Sequence, residues 1–154
     1  MRVVKKYSEP GEWEVKIPFE KVGDDKEWLG VIDAREPGEY RLTIIADHQM
    51  RGTKGRVTVR AVVGERAHVI IKGIVKIRKE AQKTDSYLEL RVLMLDKMAK
   101  AIAEPELEIE ANDVKASHGA TIGQVDQVQM LYLTSRGLTE PMALGEIVNG
   151  WLNV

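Results

Sequence analysis

Between Trp13 and Ala111 the sequence repeats one device: a short segment in which apolar and polar residues alternate, followed by a turn that contains glycine. Trp13, Val15, Ile17 and Phe19 share one parity, Val57, Val59, Ala61 and Val63 another, and Leu107, Ile109 and Ala111 alternate with Glu106, Glu108 and Glu110. A period of two belongs to a strand with one dry and one wet face, whereas apolar positions on a helix recur every three or four residues. Many such segments at short intervals, with no long helix before residue 125, predict an all-β body. One fault interrupts the pattern: Val62 is apolar where the alternation calls for a polar residue.

The remaining segments fit the same frame. Pro18 confines residues 12–19 to a strand end or a sheet edge, so this reads as an opening edge strand. Trp28 to Ile32 gives a second apolar run, closed by a turn at Arg35-Glu36-Pro37-Gly38, and Tyr40 to Ala46 reads as a third strand. Arg51 to Arg56 is a basic, glycine-rich stretch expected to form an exposed hairpin-like turn. Gly73 inside the apolar run Ala67 to Ile77 signals a bend or a close backbone approach. Tyr87 to Leu95 fits strand or helix by period, and only its β-rich surroundings favour strand. After Val114-Lys115-Ala116 the Ser-His-Gly and Ala-Thr-Ile-Gly groups place His118 at the end of a strand. No tandem repeat is visible.

The last thirty residues change character. Asp126 is an N-cap candidate with Gln129 three positions on, and Gly137 followed by Leu138 has the form of a helix C-terminus. Thr139-Glu140-Pro141 opens a second helix, in which Leu144, Ile147, Val148 and Trp151 form an i, i+3, i+4, i+7 stripe.

Composition narrows the function classes. A chain of 154 residues is most simply one domain. It has no cysteine, so it forms no disulfide and offers no thiolate to a metal. With 23 basic against 24 acidic residues there is no global field to attract nucleic acid or a membrane surface, and aromatics are only 5% of the chain. No apolar run approaches a membrane span and no signal-peptide core is present, which predicts a cytoplasmic location. Gly52-Thr53-Lys54-Gly55 lacks the frame of a phosphate-binding loop, and no Ser/His/Asp triad can be nominated on spacing. His48, His68 and His118 are too far apart in sequence to set two ligands on one element. The alternate carboxylates Glu104, Glu106, Glu108 and Glu110 read as the solvated face of a sheet. Two readings compete for His118, an iron ligand or a structural histidine bonding a turn, and in either case a single imidazole needs partners to hold a metal.

Asn112-Asp113-Val114-Lys115-Ala116-Ser117-His118-Gly119-Ala120-Thr121-Ile122-Gly123, followed by Leu131-Tyr132-Leu133-Thr134-Ser135-Arg136-Gly137-Leu138, resembles the C-terminal signature of the SufB/SufD family of iron–sulfur cluster assembly proteins, closer to the SufD branch. Weaker agreement through Gly73 to Ile77, Ala81 to Asp85 and Pro105 to Ile109 extends the resemblance over roughly residues 55–152. It implies a right-handed parallel β-helix core over 1–124 and a short C-terminal helical hairpin over 125–154 that docks an ABC-type ATPase. It also implies a shortened member without the family's N-terminal helical domain.

In function, the resemblance implies a non-catalytic component that binds a SufC-like ABC ATPase and pairs edge to edge with a SufB/SufD-like partner or itself. No stably bound cofactor is implied, only a transient iron–sulfur cluster at a subunit interface. His118 matches the histidine that lies at the SufB–SufD interface in SufD-type members and is needed for assembly, a candidate iron or cluster ligand shared with a partner chain. Tyr132, Arg136 and Gly137 match the helical segment that docks the ATPase. The sequence departs from the pattern at Ala116, where cysteine often stands, and in lacking cysteine altogether. Two other readings compete: a β-helix or sandwich module that binds carbohydrate or another small ligand through exposed Trp13, Trp28 and Trp151, and a degenerate paralogue that only occupies a subunit position.

Overall fold

In a computed structural model that describes residues 1–153, the alternating segments form strands that all pair in parallel. Strands β1 (Arg2–Tyr7), β3 (Asp25–Ala34), β5 (Lys54–Val63), β7 (Asp85–Met94) and β9 (Lys115–Gln124) make one sheet in that order. Strands β2 (Gly11–Phe19), β4 (Gly38–His48), β6 (Ala67–Ile77) and β8 (Lys100–Ile109) make the other. The chain therefore crosses from sheet to sheet at every turn and stacks each coil on the one before. This is a right-handed parallel β-helix of about four coils, followed by two helices, α1 (Gln127–Ser135) and α2 (Glu140–Leu152).

Register explains why no repeat is visible. Glu27 faces Arg56, Arg56 faces Tyr87 and Tyr87 faces Ser117, steps of 29, 31 and 30 residues. What recurs is parity and position in the coil, not residue identity. Trp28, Val57, Leu88 and His118 are stacked in one inward row, and Phe19, His48, Ile77 and Ile109 in another. Side chains in register on parallel strands point to the same face, so each row runs along the coil axis. The interior rows are apolar and almost fully buried from Ile17 to Val92, each large side chain contributing on the order of 2 kcal/mol through removal from water.

Three expectations are corrected. Residues 12–19 do form an edge strand, but β1 precedes it, so it is not the opening one. The stretch Arg51 to Arg56 is not a hairpin turn, because β4 and β5 lie in different sheets; it is a corner of the coil in which Thr53 is buried and Lys54 already begins β5. His118 is not at a strand end: it is the fourth of ten residues in β9, which continues through Gly123 to Gln124. The glycines there do not turn the chain. Gly119 lies against its neighbour instead, since a Cβ at this position would sit 3.3 Å from the Tyr87 hydroxyl. Gly73 does mark a close approach, although of a side chain: a Cβ there would meet Leu88 Cδ2 at 2.7 Å.

The fault at Val62 has a structural cause. Val62 points out of the coil, yet it is fully buried, because α2 lies across that face. Val62, Leu93 and Val148 form a second apolar cluster with Leu144, Ile147, Trp151 and Leu152 packed around it. The predicted stripe on α2 is the face that meets the sheet. Trp151 Nε1–H donates to the Ala61 carbonyl at 3.1 Å, and the Arg91 guanidinium sits 4.7 Å from the Trp151 ring centroid.

One coil corner holds a buried polar chain that the sequence does not announce. His48 Nδ1 is 2.8 Å from Thr53 Oγ1, Thr53 Oγ1 is 2.9 Å from Thr84 Oγ1, and Thr84 Oγ1 donates to the Ala81 carbonyl at 2.9 Å. Each hydroxyl has a single proton. Thr84 spends its own on Ala81, so Thr53 donates to Thr84 and must accept from His48 Nδ1–H. His48 Nε2 is then left to accept from the Ser86 hydroxyl at 3.0 Å. The ring also stacks on Phe19, with centroids 4.0 Å apart. Burial pushes the imidazole down to about 4, slightly opposed by the nearby Asp47 carboxylate.

Candidate functional site

Two surfaces carry the residues singled out by sequence. The first is the open end of the coil. Strands β8 and β9 are terminal in their sheets, so each presents an unpaired row of backbone N–H and C=O groups. The inward rows stop here with nothing stacked beyond them, and Ile109 is 42% and Ile122 49% exposed. His118 ends the row begun by Trp28, Val57 and Leu88, and it is exposed although it has the parity of a core residue. It shares the inward-parity face of β9 with half-buried Ala116, in the last row of the coil. Among the described residues no group of three or more His, Cys, Asp or Glu could hold a metal ion. A metal at His118 would need ligands beyond the described residues.

The outer side of β8 is the solvated face expected for Glu104, Glu106 and Glu108. Lys72 Nζ reaches Glu106 at 3.3 Å and Lys76 Nζ reaches Glu108 at 3.9 Å across the neighbouring strand. Such exposed pairs add at most about 1 kcal/mol and do not make an acid–base centre.

The second surface is the helix pair. Asp126 Oδ1 accepts from Val128 N–H at 2.8 Å and so caps α1. At the other end Gly137 N–H donates to Thr134 O at 3.1 Å and Leu138 N–H to Leu133 O at 3.3 Å, the paired bonds of a Schellman cap, with Gly137 at φ +97°. Gly137 therefore serves as the helix stop, and its left-handed backbone turns the chain into α2. Thr139 Oγ1 accepts from Met142 N–H at 3.3 Å to start α2, with Pro141 in the first turn.

Helix α1 has no buried residue, although α2 beside it buries Ala143 and Val148. Val128 is 75%, Leu131 68% and Tyr132 57% exposed. Apolar side chains point to several sides of α1, and only part of that surface is used against α2. Arg136 folds back over Tyr132, its guanidinium 5.1 Å from the ring centroid, so the aromatic and the cation form one feature of the exposed face.

The tryptophans do not make a binding groove. Trp28 is buried in the core, Trp13 is half-buried with its ring 4.8 Å from that of Tyr7, and Trp151 is half-buried between α2, to which it belongs, and the sheet. The three lie in separate parts of the molecule.

The family profile described as SUF system FeS cluster assembly, SufBD core domain, matches residues 15–151. The chain belongs to the SufBD family. Relatives include the iron-sulfur cluster assembly protein SufD of Escherichia coli (strain K12), 33% identical over 102 residues, and SufD of Bacillus subtilis (strain 168), 37% identical over 105 residues. These alignments cover 66% and 68% of this chain and 24% of each relative. A SufBD family protein of Mycobacterium bovis is 33% identical over 143 residues, 88% of this chain and 36% of its own length. The chain thus spans about a quarter to a third of the length of these relatives. In this SufBD-family chain the Ser-His-Gly group lies on the last strand of the coil and the Tyr-Leu-Thr-Ser-Arg-Gly group on the exposed helix, so the two quoted motifs face different surroundings. None of the helices of the described residues is long and apolar enough to cross a membrane.

Proposed function

We propose that this SufBD-family chain is a non-catalytic, cytoplasmic component of iron–sulfur cluster assembly, in which residues 1–124 form the core and residues 125–154 dock a SufC-like ABC ATPase. The open end at β8 and β9 pairs edge to edge with a SufB/SufD-like partner or a second copy. The cluster is cargo: it is bound only transiently at the subunit interface, with His118 as one ligand and the partner supplying the thiolates this chain lacks. Tyr132 and Arg136 contact the ATPase, and Gly137 fixes the angle at which α1 is presented.

The observation that carries this reading is the exposure of α1. A nine-residue helix with no buried side chain gains little from its own fold, and short helices of this length are marginal without packing. Its apolar residues are explained by a partner that covers them. The unpaired strand rows at the open end of the coil support the second interface in the same way.

The test is anaerobic co-expression with the cognate ATPase and a SufB-like partner, followed by capture of this chain. Tyr132→Ala and Arg136→Glu are expected to reduce ATPase recovery at least about tenfold, the size of loss typical of a central aromatic or arginine anchor. His118→Ala should keep the ATPase but lose iron and sulfide from the captured complex. Equal ATPase recovery in wild type and both helix variants would remove the docking role, and unchanged iron and sulfide in His118→Ala would remove the ligand role.

A further inference from the structure

We infer that the cleft between α1 and α2 receives an apolar segment of the ATPase partner that carries a lysine or arginine beside it. This rests on the docking reading above and adds where the partner enters and what its chemistry must be. The cleft has a volume of about 840 Å³, in the range of pockets that enclose a ligand or a cluster of side chains. Its apolar wall comes from Val128, Tyr132, Ile147 and Trp151. Gly150 also lines it, and a Cβ built there would find no atom within 4 Å, so the α2 backbone is open to close approach.

The rim is acidic. Asp126 and Glu146 line the cleft, and neither makes an ion pair among the described residues. Nearby cations are already engaged: Arg136 lies over Tyr132, and Arg91 lies over Trp151. From residue 125 to 153 the charged side chains are Asp126, Glu140 and Glu146 against Arg136 alone. An apolar cleft edged by carboxylates without a cationic partner, one of them also capping α1, selects an apolar segment flanked by positive charge and repels an acidic one.

Two substitutions probe the cleft without touching the outer face of α1. Gly150→Phe fills it from an α2 position whose backbone does not require glycine, since Gly150 is not among the left-handed residues. Glu146→Lys reverses its rim. Titration calorimetry with the purified SufC-like ATPase is expected to show Gly150→Phe binding about tenfold more weakly at an unchanged thermal midpoint. Glu146→Lys should weaken binding about fivefold at low salt, with the difference shrinking at high salt as exposed charges are screened. If Leu131→Ala, at an exposed α1 position outside the cleft, weakens binding while Gly150→Phe and Glu146→Lys match wild type, the ATPase uses only the outer face of α1, and the cleft proposal is overturned while the docking role stands. Tighter binding by Glu146→Lys would overturn the charge assignment. Failure of the wild-type chain to bind the ATPase would overturn both.

Discussion

Leu90→Ala is expected to lower the unfolding free energy by about 3 kcal/mol, whereas Ile122→Ala, on the next strand and in the neighbouring inward row, should cost less than about 1 kcal/mol. Leu90 is fully buried, stacked in register between Val59 and Ala120, so truncation leaves a cavity that the flanking coils cannot close. Ile122 has the same inward parity, stacked on Val92, but it is 49% exposed because the coil ends at β9. The contrast therefore reports on the open end and not on residue size. Urea denaturation of both variants at low protein concentration measures it. Similar losses at the two positions would mean that the end of the coil is already covered in the isolated chain.

Acidification from pH 6.5 to pH 4 should remove about 3 kcal/mol of stability through His48 alone. The sign follows from the direction of the shift. In the unfolded chain the imidazole titrates near 6.5, and in the folded one burial holds it down to about 4. Below pH 6.5 the unfolded chain therefore binds more protons, and its population grows as the pH falls towards 4. The Asp47 carboxylate is held below its ordinary value of 3.8 by hydrogen bonds from Arg78, so its stabilisation is lost only as the pH falls below that value. The two windows are separable. His48→Gln should flatten the slope between pH 6.5 and 4, at a cost in stability at pH 7 from the disturbed contacts to Thr53 and Ser86. An unaltered slope in that variant would place the acid sensitivity elsewhere.

Much of this architecture is legible in the sequence because strand period and helix caps are local. The alternation at Val57 to Val63, the Asp126 cap, the Gly137 stop and the Leu144-to-Trp151 stripe each depend on neighbours a few residues away, and each is found where expected. Stacking is not local. Partners in adjacent coils are about thirty residues apart and share no identity, so neither the two-sheet order nor the corner at Thr53 shows in a linear reading. The β-helix came from resemblance, and the parallel register bears it out. The position of His118 is hidden for a related reason: Ser-His-Gly and the following glycines look like turn chemistry, whereas here they lie within the last strand of the coil. The fault at Val62 carries a further signal. An apolar residue of the wrong parity in a clean strand means that something covers the outer face, and here that is α2.

The link between exposed helix, open edge and assembly can be tested in one measurement, hydrogen exchange on the chain alone and after addition of the SufC-like ATPase and a SufB-like partner. Amides of Gln127–Ser135 are expected to slow when the ATPase is added, and those of Lys115–Gln124 when the partner is added, because these elements are unpacked or unpaired in the isolated chain. Exchange that stays the same in both segments, or protection confined to β1 and β2 at the opposite end of the coil, would contradict it.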